Sequence, residues 1–217
     1  MRKIIFCAFL VIFAFNSFSQ NGRNGPSLWE EIRNNSFLEY DNSKPQIIDA
    51  LKKYDSHQYL INRLSKNGQR YLFYTVSEAL KRDLPVELSL IPFIESQFDP
   101  YAQSSTGASG IWQFIPSTAL ENGLKKNWWY DGRRDIVAST KAAYDFLIKL
   151  NNEHDDWLVA IAAYNAGPSR VRKEIKKNKA KGLPTDFWSL NLPKETKAYV
   201  PKILALTEVI RNPRLFN

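Results

Sequence analysis

The sequence predicts an all-α domain. Three observations carry this: helical spacing of the apolar residues from Pro45 onward, stop and start signals between those runs, and no long alternating stretch that would read as strand. The first 19 residues stand outside that domain. Arg2 and Lys3 precede an unbroken apolar run over residues 4–15, shorter than the roughly 20 residues a membrane-spanning helix needs. With Ser17 and Ser19 as the small residues ahead of a cut near Gln20, residues 1–19 read as a signal peptide. Cys7, the single cysteine, lies inside the apolar run rather than at its end, which argues against a lipoprotein anchor. Loss of the leader takes the formal charge from +8 to about +6 and leaves no cysteine. The mature chain is expected to be exported, soluble and basic, without a transmembrane helix.

Residues 20–44 form a polar arm, punctuated by Gly, Asn and Ser, with room for one short helix. Only Leu28, Trp29, Ile32, Phe37 and Leu38 are there to pack. The helical body occupies residues 45–217. Asp135 is placed to cap a helix that aligns Ile136, Thr140, Ala143, Tyr144, Leu147 and Leu150 on one face. Asp156 caps another, carrying Trp157, Ala160, Ile161 and Tyr164. Gly167 and Pro168 stop that helix and start the next. The last segment aligns Tyr199, Ile203, Leu206 and Ile210.

Composition removes several kinds of chemistry. Two histidines and one cysteine cannot build a Cys/His zinc site, a disulfide framework or a Cys–His protease. His57 and His154 stand singly among polar residues and are given no ligand role, so neither metal nor cofactor is expected. Aromatic residues make up 13% of the chain, with six Trp and ten Tyr. They suit a surface that stacks on rings, or a core.

Glu95 is the residue out of place. Projected as one helix, Leu88, Ile91, Glu95 and Phe98 share a stripe, so a carboxylate faces the apolar side. Desolvation there raises its pKa and prepares it to act as a general acid. Spacing alone leaves a simpler alternative open and favours it: a glutamate at the stripe's edge, paired with one of the many Lys or Arg residues. Asp99 and Pro100 end this helix. Residues 104–110 then form a loop of small side chains that lets an extended ligand approach the backbone.

Four separated elements, in order, resemble the lysozyme-like lytic transglycosylases of glycoside hydrolase family 23. They are Glu95 with Ser96, the Gly110-Ile111-Trp112-Gln113 turn, Ala163-Tyr164-Asn165, and the late Tyr199 within a run from Glu195 to Pro201. Residues 127–131 and 184–190 resemble the D-type subgroup. The resemblance covers about residues 84–216. It implies a lysozyme-like fold, export to the periplasm or cell envelope, and peptidoglycan glycan strands as substrate. Glu95 would protonate the glycosidic oxygen between N-acetylmuramic acid and N-acetylglucosamine. It would then accept the proton of the muramyl C6 hydroxyl as this closes onto C1, leaving a 1,6-anhydromuramyl end.

The resemblance also places Tyr164 and Tyr199 in the cleft near Glu95, where each would orient the acid or a sugar hydroxyl; their place on apolar stripes suits core tyrosines equally. Gln113 and Asn165 would offer amides to sugar substituents, Ser96 would contact the cleaved sugar, and Trp112 would stack on a sugar face. For Trp128, Trp129 and Tyr130, stacking and packing both remain open. Asp99 is the nearest candidate second carboxylate but reads as the helix terminator. D-type members often carry a lipid anchor and C-terminal LysM modules; Cys7 and the end of the sequence at Asn217 give no expectation of either. The basic run over residues 170–181 reads as a solvated helix face, or as an attractor for an anionic wall. It lacks the interleaved aromatics of a nucleic-acid site, so no nucleic-acid partner is expected. A hydrolase of the goose-type lysozyme kind and a catalytically silent glycan-binding domain are the alternatives.

Overall fold

A computed structural model of the chain describes residues 27–52, 54 and 68–212. The leader at 1–19, the start of the arm and His57 lie outside the described residues. Among those described there is no strand, and the all-α expectation holds.

The described part of the arm is seated on the domain. Helix α1, Leu28–Asn35, starts in a capping box in which Ser27 and Glu30 each accept the other's backbone N–H. It buries Ile32, and Leu38 follows it into the core, where its amide donates to the buried carboxylate of Glu87 at 3.0 Å. Tyr40 reaches further and donates to Glu208 at 2.7 Å. Helix α2, Pro45–Lys52, packs on the last helix, and α3, Gln69–Leu80, packs on the segment that follows it.

Helix α6, Ile136–His154, lies against α7, Trp157–Ala166. Asp135 and Asp156 cap them as the sequence predicts, each accepting backbone N–H groups of the first turn. All of residues 158–163 in α7 are buried. A helix that is apolar all round has to be enclosed on every side. Here α6, α8 (Pro168–Ala180) and α9 (Lys194–Arg211) enclose it. Gly167, at φ +88°, makes the junction between α7 and α8, with Pro168 in the first turn of α8. The stripe of Tyr199, Ile203, Leu206 and Ile210 on α9 is buried throughout.

One expectation needs correction. Residues 88–98 are not a single helix ended by Asp99 and Pro100. A 3₁₀ turn, Val86–Leu90, hands over to a short α4, Ile91–Ser96, which stops two residues earlier than expected. Pro92 has no N–H to reach the Leu88 carbonyl, so a continuous α-helix loses a bond there. Pro92 instead occupies the first turn of a new helix. The helix ends because Gln97 and Phe98 both take left-handed φ values, +54° and +60°. Burial of the Phe98 ring, 1% exposed, holds that conformation. Leu88, Ile91 and Phe98 still point into the core, by three different local geometries.

Asp156 accepts from both Leu158 and Val159 at the start of the central helix. The substitution Asp156→Ala is therefore expected to remove about 1 kcal/mol of stability. This should be read as a lower urea midpoint with an unchanged slope.

Candidate active site

Glu95 is the penultimate residue of α4, and its carboxylate opens on a cleft of about 360 Å³. One wall is the 104–115 loop, with Ser104, Thr106, Ala108 and Gln113. The other is the junction of α7 and α8, with Tyr164, Asn165, Gly167 and Pro168. Phe146 of α6 and Glu195 in the first turn of α9 complete it, with Thr118 of α5 (Pro116–Glu121).

The Tyr199 hydroxyl, on a side chain only 4% exposed, donates to Glu95 Oε1 at 2.5 Å. Burial pushes the Glu95 carboxyl up to about 7. The bond from Tyr199 opposes this, the nearby negative charge of Glu195 adds to it, and Lys202 subtracts from it. Glu95 thus carries its proton in a good fraction of molecules near neutral pH. Burial also holds Tyr199 and Tyr164 well above the ordinary tyrosine range, and the charge of Glu95 reinforces both.

The loop opposite Glu95 is tied down from several directions. Tyr164 donates to the Trp112 carbonyl at 2.7 Å, and Ser96 donates to the Ile111 carbonyl at 3.0 Å. Gln113 sits at φ +50° and uses Nε2 for the carbonyls of Gly110 and Ala102, leaving Oε1 as its acceptor. Gly110 takes φ +82°, and a Cβ there would lie 1.8 Å from the Arg133 carbonyl oxygen. Only glycine fits that approach. Asn165 accepts from Thr196 through Oδ1 at 2.7 Å, which orients its NH₂ as the donor left over.

The structure brings Glu95, Gln113, Tyr164 and Asn165 to one cleft, with Tyr199 bonded directly to the acid. It does not bring Trp112. That ring is 0% exposed, donates Nε1–H to Thr140 at 3.0 Å and meets Tyr144 edge-on at 5.3 Å. The expected stacking role is corrected: a buried indole with its donor satisfied has no face to offer a sugar. Ser96 is likewise outside the cleft wall, and its hydroxyl serves backbone carbonyls of Pro92 and Ile111. Asp99 accepts from the Tyr101 amide and is also outside the wall.

The second carboxylate at the cleft is Glu195 instead. A signal for it was available, because positions 195 and 199 are one helical turn apart and share a face. The basic run on α8 is a solvated face, with Arg172 paired to Glu153 and Lys177 to Glu174. Among the described residues no group of three His, Cys, Asp or Glu side chains could hold a metal ion.

Two consequences can be measured. The folded pKa of Glu95, about 7, lies above the ordinary 4.5. Its contribution to stability is therefore complete below about 4.5 and is lost as pH rises through about 7. At about 1.4 kcal/mol per unit, the loss approaches about 3 kcal/mol. Glu95→Gln is expected to match the parent's unfolding midpoint at pH 4 and to exceed it at pH 8. Gly110→Ala is expected to lose at least about 2 kcal/mol by urea denaturation, through its clash with the Arg133 backbone.

Residues 75–186 match the family described as Transglycosylase SLT domain. The chain is 46% identical over 172 residues to the membrane-bound lytic murein transglycosylase D of Escherichia coli (strain K12). That alignment spans 79% of this chain but 38% of the relative, so the chain accounts for under two fifths of that protein's length. It is 39% identical over 151 residues to a putative tributyltin chloride resistance protein of Alteromonas sp. (strain M-1), covering 69% of this chain and 72% of that one. Among solved structures, an inactive mutant of the lytic transglycosylase Slt from Pseudomonas aeruginosa aligns at 27% identity with a TM-score of 0.47, covering 68% of this chain and 24% of that one. The family match runs from Thr75 in α3 to Asp186, spanning Glu95, the loop opposite it and the Tyr164–Asn165 wall. The chain belongs to the transglycosylase SLT domain family.

Proposed function

We propose that the chain is a peptidoglycan lytic transglycosylase in which Glu95 is the single acid and base. The observation that carries this reading is a carboxyl group with a pKa of about 7, facing a cleft lined by amides and hydroxyls. In the first step Glu95 gives its proton to the glycosidic oxygen of a MurNAc–GlcNAc linkage as the C1–O bond breaks. The N-acetylglucosamine portion leaves with a new hydroxyl. The muramyl C6 oxygen then bonds to C1 and its proton passes to the Glu95 carboxylate, which restores the acid. No water is consumed, and the product ends in a 1,6-anhydro ring.

A pKa near neutrality suits both halves of this cycle, since the group must give a proton and then take one. Tyr199 would steady the carboxylate between the two steps. Gln113 Oε1 and the Asn165 amide group would orient sugar substituents. Glu195 lies where it raises the Glu95 pKa through its charge, and the proposal gives it no proton to transfer. The strands would be met in the periplasm or cell envelope after export. Among the described residues no helix is long and apolar enough to cross a membrane.

Mass spectrometry of digested sacculi tests the reaction. The expected muropeptides are one water lighter than hydrolysis products; reducing muramic ends alone would establish a hydrolase instead. Glu95→Gln should lower the cleavage rate by at least ~10². With the acid form required for the first step, the rate should decline as pH rises above about 7. Tyr199→Phe removes a bond that holds the Glu95 pKa down, so the alkaline limb of its pH profile should move to higher pH while the maximal rate falls.

A further inference from the structure

The most exposed large apolar side chains of the described structure lie together. Trp128 is 88% exposed and Trp129 is 90% exposed, their rings 6.4 Å apart and nearly perpendicular. Packing, one of the two roles open for them, is not what they do. A paired aromatic surface of this kind marks an interaction site.

The tip that carries them is built to hold its shape. Asn127 N–H donates to the Tyr130 carbonyl at 2.8 Å, and Asn127 Oδ1 accepts from the amides of both Trp129 and Tyr130. The backbones of Lys126 and Asp131 pair antiparallel across the turn, and the Gly132 amide closes onto the Lys125 carbonyl at 2.8 Å. The rings are therefore presented on an ordered turn, which lowers the entropy lost when they take up a ligand.

Beside the tip runs an open groove of about 600 Å³, separate from the catalytic cleft. Its wall mixes aromatic faces with planar polar groups, including Gln103, Asn127, Asp131 and Arg134. Its acidic members are already engaged. Asp131 is held by Arg133 at 2.6 Å, and Asp135 caps α6 while accepting from Tyr130. The exposed cations are Lys126 and Arg134, so the groove favours an anionic ligand.

The groove adjoins the catalytic cleft along one stretch of chain. Gln103 lines the groove and Ser104 lines the cleft. Arg133, 5% exposed, donates to the Gly107 carbonyl at 2.7 Å, and Arg134 donates to Ser109 at 3.1 Å. The tip and the cleft wall are thus fastened to each other.

We infer that the Trp128–Trp129 tip and its groove form an accessory glycan subsite that grips a β-1,4-linked amino-sugar strand beyond the sugars in the cleft. Sugar rings present flat C–H faces to indoles and equatorial hydroxyl and amide groups to in-plane partners. The lactyl-linked carboxylates of a muramyl strand suit Lys126 and Arg134. A lipid surface, the other partner for exposed tryptophans, would meet Asp131, Asp135, Gln103 and Asn127 at the same face, and these resist transfer into a bilayer. The inference rests on the proposed glycan substrate, and it predicts that a strand many sugars long binds more tightly than a short one.

The test uses the full chain with Trp128→Ala and Trp129→Ala combined. Both side chains are exposed, so the fold should be kept, as an unchanged unfolding midpoint would verify. On long peptide-free glycan strands the KM of the double variant should rise about tenfold more than on a MurNAc–GlcNAc tetrasaccharide. In a Glu95→Gln background, the double substitution should weaken sedimentation with purified sacculi by a similar factor. Equal sacculus binding with and without the two tryptophans would overturn the subsite. So would loss confined to vesicles of phosphatidylethanolamine and phosphatidylglycerol, which would make the tip a membrane contact. If the parent cleaves neither substrate, the proposed reaction has failed, and the sacculus-binding comparison still decides the subsite.

Discussion

The hydrogen bond from Tyr199 to Glu95 joins residues 104 positions apart and sets the chemistry of the cleft. A carboxylate withdrawn from water is unstable unless something accepts its charge or its proton stays on. Here both remedies operate together. The proton is retained into the neutral range because burial dominates, and the tyrosine donor keeps the ionised form from being prohibitive. Either influence by itself would leave a group poorly suited to giving and retaking one proton. The geometry needs α4 and α9 in a fixed relation, which their direct contact and the packing of the 86–90 turn against both of them provide.

The wall opposite the acid depends on hydrogen bonds from side chains to backbone. Residues 101–115 have little regular structure, so several of their carbonyls need side-chain donors. Ser96, Tyr164, Gln113 and Arg133 supply them. Three of these residues, Ser96, Gln113 and Tyr164, were expected to touch sugar. The hydroxyls of Ser96 and Tyr164 are instead engaged in shaping the loop. Tyr164 does this while forming part of the cleft surface, and Ser96 does it from behind the wall.

How far the sequence could be read depended on the range of the interactions involved. Caps and periodic stripes are local: Asp135, Asp156, Gly167 and the faces of α6, α7 and α9 were all legible, because a helix states its own boundaries and buried side. The stripe of Leu88, Ile91, Glu95 and Phe98 was right about burial but wrong about backbone. Pro92 and two left-handed residues bring the same side chains inward without one continuous helix. Trp112 and the pair Trp128 and Trp129 carry the same side-chain chemistry and have opposite fates. An indole suits a core and a binding surface equally well, so its residue type cannot distinguish them. Thr140 and Tyr144 decide the first case; the Asn127 turn decides the second.

The sequence by itself determined the all-α class, the helices capped by Asp135 and Asp156, and Glu95 as a carboxylate on an apolar stripe. The class and the caps follow from spacing and local chemistry, and Glu95 drew its weight from the motif elements that follow it in order. Tertiary structure alone decided that Tyr199 is its partner, that Glu195 rather than Asp99 is the second carboxylate of the cleft, and that Trp112 is core. Each of these depends on which distant segments share a surface. Proximity of that kind arises where distant segments such as α4 and α9 pack together, and no local pattern of residues records it.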